Sequence, residues 1–478
     1  MLFNSLIFVA FFAVVYGVYL ALQHKTNAQN VLLLVASYAF YSYWDWRFLS
    51  LILVSTVADY AIGLALGRTD GGTPAGDRRR RLLVVASVGI NLGILGFFKY
   101  FNFFADSLVD VLHLFGMGAD PTTLRVVLPI GISFYTFQTM SYTIDIYRGT
   151  LTPTRNFLNF AVFVAFFPQL VAGPIERARN LLPQVEAPRR ITASMVDSGL
   201  FLILWGYFKK VVIADTAGLI SDQVFNNYME HSGLAVIVGV LAFSVQIYGD
   251  FSGYSDIARG LARLMGFELM VNFKLPYFAL NPSDFWRRWH VSLSSWLRDY
   301  LYITLGGNRR GPARTYAALS ITMLLGGLWH GAAWNFVIWG AFHGLILMLY
   351  RRFERRPMDR DPWGGEFAAA AVLAKMALMF VLTLFGWLVF RSTSVHQIGY
   401  MLSHASLVAE PGAVHLLTKL AKVSAPLVAM QLYQYVSGDL LIATKARLPV
   451  RILVYTALLT GILTFGVRES IEFIYFQF

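Results

Sequence analysis

The chain has 478 residues, 57% of them hydrophobic and 14% charged, with a net charge of +12. This balance excludes an ordinary soluble domain and fits an integral membrane protein. There is no cysteine, which removes disulfides, thiolate metal ligands and a cysteine acyl-enzyme from consideration.

Apolar runs of spanning length recur from end to end, at 2–23, 30–45, 47–67, 82–104, 127–147, 157–173, 196–214, 233–250, 316–331, 333–350, 370–390, 421–441 and 452–468. Several are short or interrupted by glycine, so about eleven true spans are expected, with re-entrant or interfacial helices making up the rest. No long polar linker divides the chain, which predicts one polytopic, all-α membrane domain over 1–478. No Lys or Arg precedes the first run and no small-residue cleavage pattern follows it, so Met1–Gln23 is expected to stay as a span.

Positive charge gathers at Arg78–Arg81, from Arg287 to Arg314, at Arg351–Arg360, and at Lys445, Arg447 and Arg451. The positive-inside rule turns these loops to the cytoplasm. Segments 105–124, 215–230 and 392–415 then face the other side, and both termini lie outside a cytoplasmic (inner) membrane. Membrane lipids are the partner this charge requires, and no nucleic acid is implied.

Polar residues inside apolar runs come next. Asp145/Arg148 and Asp256/Arg259 have the spacing of structural pairs on a helix face. Gln246, Tyr248, Asp250, Ser252 and Tyr254 add polarity to one span, and Pro168, Gln169, Gly173 and Pro174 predict a helix end or kink.

Residues 281–311 read NPSDFWRRWHVSLSSWLRDYLYITLGGNRRG. Trp286, Trp289, Leu293, Trp296, Leu297 and Tyr300 form an apolar stripe at helical spacing, with Arg287 and Arg298 on the other side. Pro282 and Asp284 supply a start, so one amphipathic helix along the membrane surface is predicted, with His290 on or beside its stripe. Its arginines either anchor lipid headgroups or grip the phosphates of a nucleotide cofactor, a task suited to planar guanidinium donors. The candidates for that grip are Trp286, Arg287, Arg288, Trp289 and Arg298, with Asn308 and Arg309 in the glycine-rich loop that follows.

His330 sits in a stretch, 315–350, that contains no Asp, Glu, Lys or Arg in 36 residues. An imidazole in hydrocarbon is costly unless it faces protein or a wet cavity, which marks a functional site. Thirty-six residues exceed one span, and Gly326, Gly327 and Gly331 flank the histidine, so a break near His330 is predicted. A neutral imidazole there is a general base for an attacking hydroxyl. Asn335 and the Trp329 or Trp334 indole are near enough in sequence to serve the developing oxyanion. His343 lies 13 residues on, about 220° around an ideal helix, so it is not expected to share a face with His330. His396, His404 and His415 read as surface residues, and no spacing suggests a metal site.

The run WRRWHVSLSSWLRDYLYITLGGNRRG followed by LWHGAAWNFVIWGAFHG resembles the membrane-bound O-acyltransferase family, nearest its bacterial branch that acetylates alginate and other polysaccharides. LPIGISFYTFQTMSYTIDIYRG (128–149), FFPQLVAGPIERA (166–178), QIYGDFSGYSDIARG (246–260) and FGWLVFRS (385–392) extend the likeness over most of the chain. The resemblance implies a many-helix fold around a tunnel, with His330 as the catalytic histidine and His290 at the second histidine position. It also implies cytoplasmic acetyl-CoA as donor, with no permanently bound cofactor. A polysaccharide acceptor would lie outside, with a periplasmic acetyltransferase partner finishing the reaction. D-alanyl or lipid acyl transfer within the same family is the alternative. A transporter or flippase without bond chemistry is another, although no inverted repeat is evident in the sequence.

Overall fold

The structure, a computed structural model, describes residues 1–118, 125–353, 366–467 and 473–474. The predicted acid-bearing segment 105–124 and the basic stretch Arg351–Arg360 therefore lie partly outside the described residues. Two compact units are present: Met1–Leu200 with Ala258–Met270, and Phe201–Ile257 with Val271–Phe478. The first contains α1 (Leu6–Ala21), α2 (Thr26–Asp45), α3 (Leu49–Arg68), α4 (Pro74–Leu95), α5 (Phe101–Leu114), α6 (Ile132–Tyr147), α7 (Phe157–Ala165), α8 (Phe167–Leu170) and α9 (Ala178–Glu186). Helices α10 (Ala193–Tyr207) and α12 (Leu234–Leu264) contribute residues to both units. The second contains α11 (Asp215–Asn226), α13 (Pro282–Arg288), α14 (Val291–Trp296), α15 (Pro312–His330), α16 (Trp334–Phe353), α17 (Glu366–Arg391), α18 (Val395–His404), α19 (Pro411–Ser437) and α20 (Leu448–Phe465). No β-strand occurs among the described residues.

Six helical stretches among the described residues are long and apolar enough to cross a membrane. The first, Thr26–Arg68, runs 43 residues and contains both α2 and α3. At about 1.5 Å per residue it is roughly twice the hydrocarbon thickness, so it holds more than one membrane-length helix. Helices α15 and α16 have spanning length but carry Gly, His, Trp and Asn in place of continuous aliphatics. The run 157–173 is not one helix: Phe166 leaves helical geometry and Pro168 follows, leaving α7 with nine residues.

Lipid tails are as apolar as leucine, so helices in a membrane associate through polar bonds and close backbone packing. Both devices are visible. In the first unit, Asp59 on α3 accepts from Ser87 Oγ (2.6 Å) and Asn91 Nδ2 (2.7 Å) on α4. Ser87 meets Thr143 on α6 (2.8 Å), while Asn91 Oδ1 accepts from Ser55 (2.6 Å) and Thr139 (3.1 Å). Three helices are thus bonded through one buried polar cluster. Arg80 closes the same bundle at one end. It donates to the Leu66 and Thr69 carbonyls at the end of α3 and to the Ile146 and Tyr147 carbonyls of α6.

In the second unit close packing dominates. Ser320 faces Met348, Gly340 lies on the Met323 carbonyl, and Gly327 lies on the Phe336 carbonyl, so α15 and α16 run antiparallel with backbones touching. A Cβ at Gly340 would stand 2.5 Å from Met323 O. Gly206 and Gly253 make a second such contact, each within 3 Å of the other's carbonyl once a Cβ is added. Replacing Gly340 by valine should destabilise the protein by about 1–3 kcal/mol through overpacking. The expected readout is a lower thermal midpoint in detergent, with Gly399→Ala, whose Cβ would meet nothing, as an unaffected control.

Candidate active site

The break predicted near His330 is present. α15 ends at His330, Gly331 is extended, and α16 restarts at Trp334. A side chain on Gly331 would occupy the Phe336 ring, so the turn is closed by aromatic packing. His330 is 4% exposed, and its ring lies 5.1 Å from Trp329, 5.0 Å from Trp339 and 5.3 Å from Phe390.

The single amphipathic helix expected over 282–300 is not formed. α13 is capped by Asn281, whose side chain accepts from Asp284 N (2.8 Å), and begins with Pro282 as predicted. It stops at Arg288. Trp289 is extended, and His290 adopts left-handed geometry (φ 44°, ψ 54°) before α14 begins. A non-glycine residue in that region carries about 1–2 kcal/mol of strain. Asn272 holds it: its carbonyl accepts from Val291 N (2.9 Å), and its side-chain oxygen accepts from Ser292 N (3.2 Å) and Ser292 Oγ (2.7 Å). Two backbone donors that a continuous helix would use internally are thereby captured by a neighbouring segment. The segment does not lie along a surface either: Trp289 and His290 are fully buried.

The break turns His290 inward, with its ring 4.7 Å from Phe251 and 5.7 Å from Trp329. Trp329 therefore stands between His290 and His330, so the two histidines chosen from sequence are brought to one centre. His343 joins them. Its ring lies 4.5 Å from Trp339, on which His330 also packs, and 5.1 Å from Trp286. The expectation that His343 lies on another face fails because the helix stops at His330 and doubles back, which voids the angular count. The result is a row of alternating rings, His290, Trp329, His330, Trp339 and His343. Phe285, Trp387 and Phe390 pack around its second half.

The other candidates separate by environment. Trp334 is 60% exposed, and Asn335 is buried with its amide donating to the Phe390 carbonyl (3.0 Å). Of the three oxyanion donors left open by the sequence, Trp329 alone lies between the histidines. Arg288 is held by Asp284 (2.9 Å) and the Lys274 carbonyl, and Arg298 by Asp299 (2.7 Å). Arg287, Asn308 and Arg309 are exposed. His396, His404 and His415 are exposed as expected.

Sequence reading gave no role to Lys209 and Lys210, which lie in a π-helical segment, Phe208–Ala214. Both are buried. Lys210 bridges Asp215 (2.9 Å) and Asp250 (2.8 Å), and Lys209 bonds Asp256 (2.6 Å) and Ser252 (2.9 Å). Asp256 thus takes an ion pair from outside its own helix. The signal available was the run of carboxylates in 246–260, which inside a membrane requires cations.

A buried histidine at a helix break, inside a membrane-length apolar stretch, marks a functional site. The family model of MBOAT, the membrane-bound O-acyltransferase family, matches residues 150–389, a span that contains His290, His330 and His343. The chain is 45% identical over 401 residues to a probable alginate O-acetylase of Pseudomonas putida, covering 83% of this chain and 78% of the relative. The corresponding protein of Pseudomonas syringae is 44% identical over 404 residues, covering 84% and 74%. A peptidoglycan O-acetyltransferase of Helicobacter pylori is 34% identical over 431 residues, covering 83% and 78%. The chain belongs to the membrane-bound O-acyltransferase family. It is a multi-pass membrane acyltransferase.

Removing the Asn272 side-chain oxygen should release the strained turn at His290. Asn272→Ala is expected to cut transfer activity at least tenfold while Asn272→Asp, which keeps an acceptor for Ser292, retains more of it. Parallel initial-rate measurements on the two purified variants check this.

Proposed function

We propose that this protein moves an acetyl group from cytoplasmic acetyl-CoA across the inner membrane for O-acetylation of an extracytoplasmic polysaccharide, alginate-like in chemistry. The observation that carries the reading is His330: a buried imidazole at a helix break, between two indoles, in a chain 45% identical to a probable alginate O-acetylase. The weaker identity to a peptidoglycan enzyme, 34%, favours the alginate-type polymer.

In this reading about eleven spans surround a tunnel, with both termini outside. Acetyl-CoA enters from the cytoplasm, its phosphates near exposed Arg287 and Arg309 with Asn308 beside them. His330 takes the proton of the attacking hydroxyl as its oxygen bonds to the thioester carbonyl carbon. Collapse of the tetrahedral centre breaks the carbon–sulfur bond, and the proton returns to the departing thiolate, releasing CoA. In this reading the Trp329 indole N–H serves the oxyanion. His290, packed on the other side of Trp329, orients that indole. A periplasmic acetyltransferase receives the acetyl group and completes transfer to the polymer.

Purified protein in nanodiscs, given radiolabelled acetyl-CoA and a hydroxyl acceptor or partner, should release CoA. His330→Ala should slow release by about 10²–10⁴-fold, the usual worth of a general base. An unchanged rate would remove His330 from the chemistry. Passage of an intact substrate without CoA release would favour a transporter, and labelled lipid or D-alanyl product would move the enzyme to another branch of the family.

A further inference from the structure

Buried polar groups in proteins are almost always hydrogen-bonded, and one left without a partner costs about 1–3 kcal/mol. The corner beyond His330 concentrates several. Trp339 is 1% exposed and His343 2% exposed, yet Trp339 Nε1 and His343 Nδ1 find no hydrogen-bond partner among the described residues. Trp286 Nε1 is in the same position. These three rings meet: Trp286 lies 5.7 Å from Trp339 and 5.1 Å from His343, and Trp339 and His343 are 4.5 Å apart.

The fourth wall is a glycine. A Cβ at Gly386 on α17 would stand 3.2 Å from His343 Nε2 and 3.6 Å from Trp339 Nε1, so both rings pack closely on this glycine and a side chain there would press on them. Phe285 and Phe342 enclose the rest.

The chemistry selects the ligand. An indole N–H only donates, so the group received must be an acceptor. Two N–H donors repel a cation, and the enclosing walls are aromatic, with no cation to balance a phosphate or carboxylate. What fits is a neutral carbonyl. We propose that Trp286, Trp339 and His343, beside Gly386, form a subsite for the thioester or pantetheine amide carbonyls of the acyl donor. The inference rests on the acetyl-CoA reading above. Trp286 precedes the exposed Arg287 on α13, so a donor with its phosphates at Arg287 would run its arm past Trp286 towards His330.

The test uses Trp339→Phe and Trp286→Phe, which keep the ring and lose only the N–H, together with His343→Gln and Gly386→Ala in the full chain. Thermal melting of each variant establishes that it is folded. Each tryptophan variant should raise the KM for acetyl-CoA roughly five- to tenfold, the worth of one hydrogen bond, and leave kcat within about twofold. Gly386→Ala, which removes no donor, should raise KM in the same direction by pressing the His343 and Trp339 rings out of place. Unchanged KM in both tryptophan variants overturns the subsite while leaving the donor reading intact. A loss confined to kcat overturns it too, because it would place these groups on the transition state and not on the bound donor. If wild-type protein releases no CoA at all, the acetyl-CoA reading fails, and this subsite with it.

Discussion

Every polar group enclosed by this protein must find its partner within the protein, because the bilayer offers none. The polar contacts within each unit follow from that requirement. Asp59, Ser87, Asn91, Thr143, Ser55 and Thr139 satisfy one another across three helices. Lys209 and Lys210 are bonded to Asp256, Asp215 and Asp250. Such sets fix which helices touch and in which register, and breaking one member strands the others in a medium where they cannot be rehydrated. The aromatic centre is held differently, by ring packing, and there the indole N–H groups of Trp286 and Trp339 are enclosed beside His343 without a hydrogen-bond partner among the described residues.

The active centre is assembled by interruption of helices more than by helices themselves. His330 is delivered by the end of α15, and His290 by a left-handed residue between two short helices. Neither position would point into the same space if its helix continued. The strain at His290 is borne by Asn272, and the tight turn after His330 by Gly331 under the Phe336 ring. The glycine contacts along α15 and α16 then bring the two backbones close enough for Trp339 to lie against His330.

Much of this was legible from residue chemistry. An uncharged stretch of 36 residues with glycines around a histidine announces both a break and a site, and the start of α13 follows from Asn281, Pro282 and Asp284. What could not be read was anything that depended on periodicity running across an interruption. Trp286, Trp289, Leu293 and Trp296 have helical spacing, yet Asn272, ten residues upstream of Pro282 in the chain, captures the N–H groups at 291 and 292 and splits the helix. His343 was assigned to another face by an angle that assumes one axis, and it joins the site because two axes meet. Buried Lys209 and Lys210 were missed because their carboxylate partners lie five to forty-seven residues away in the chain.

The run Arg78–Arg81 divides its labour. Arg78, Arg79 and Arg81 are exposed, whereas Arg80 turns back to bind four carbonyls at the ends of α3 and the α6 helix. Those carbonyls are the negative ends of two helix dipoles, so Arg80 acts as a shared terminal cap supplied by a third helix. Exchanging Arg80 for lysine would preserve the positive charge and still lose the planar fork that ties two helices together.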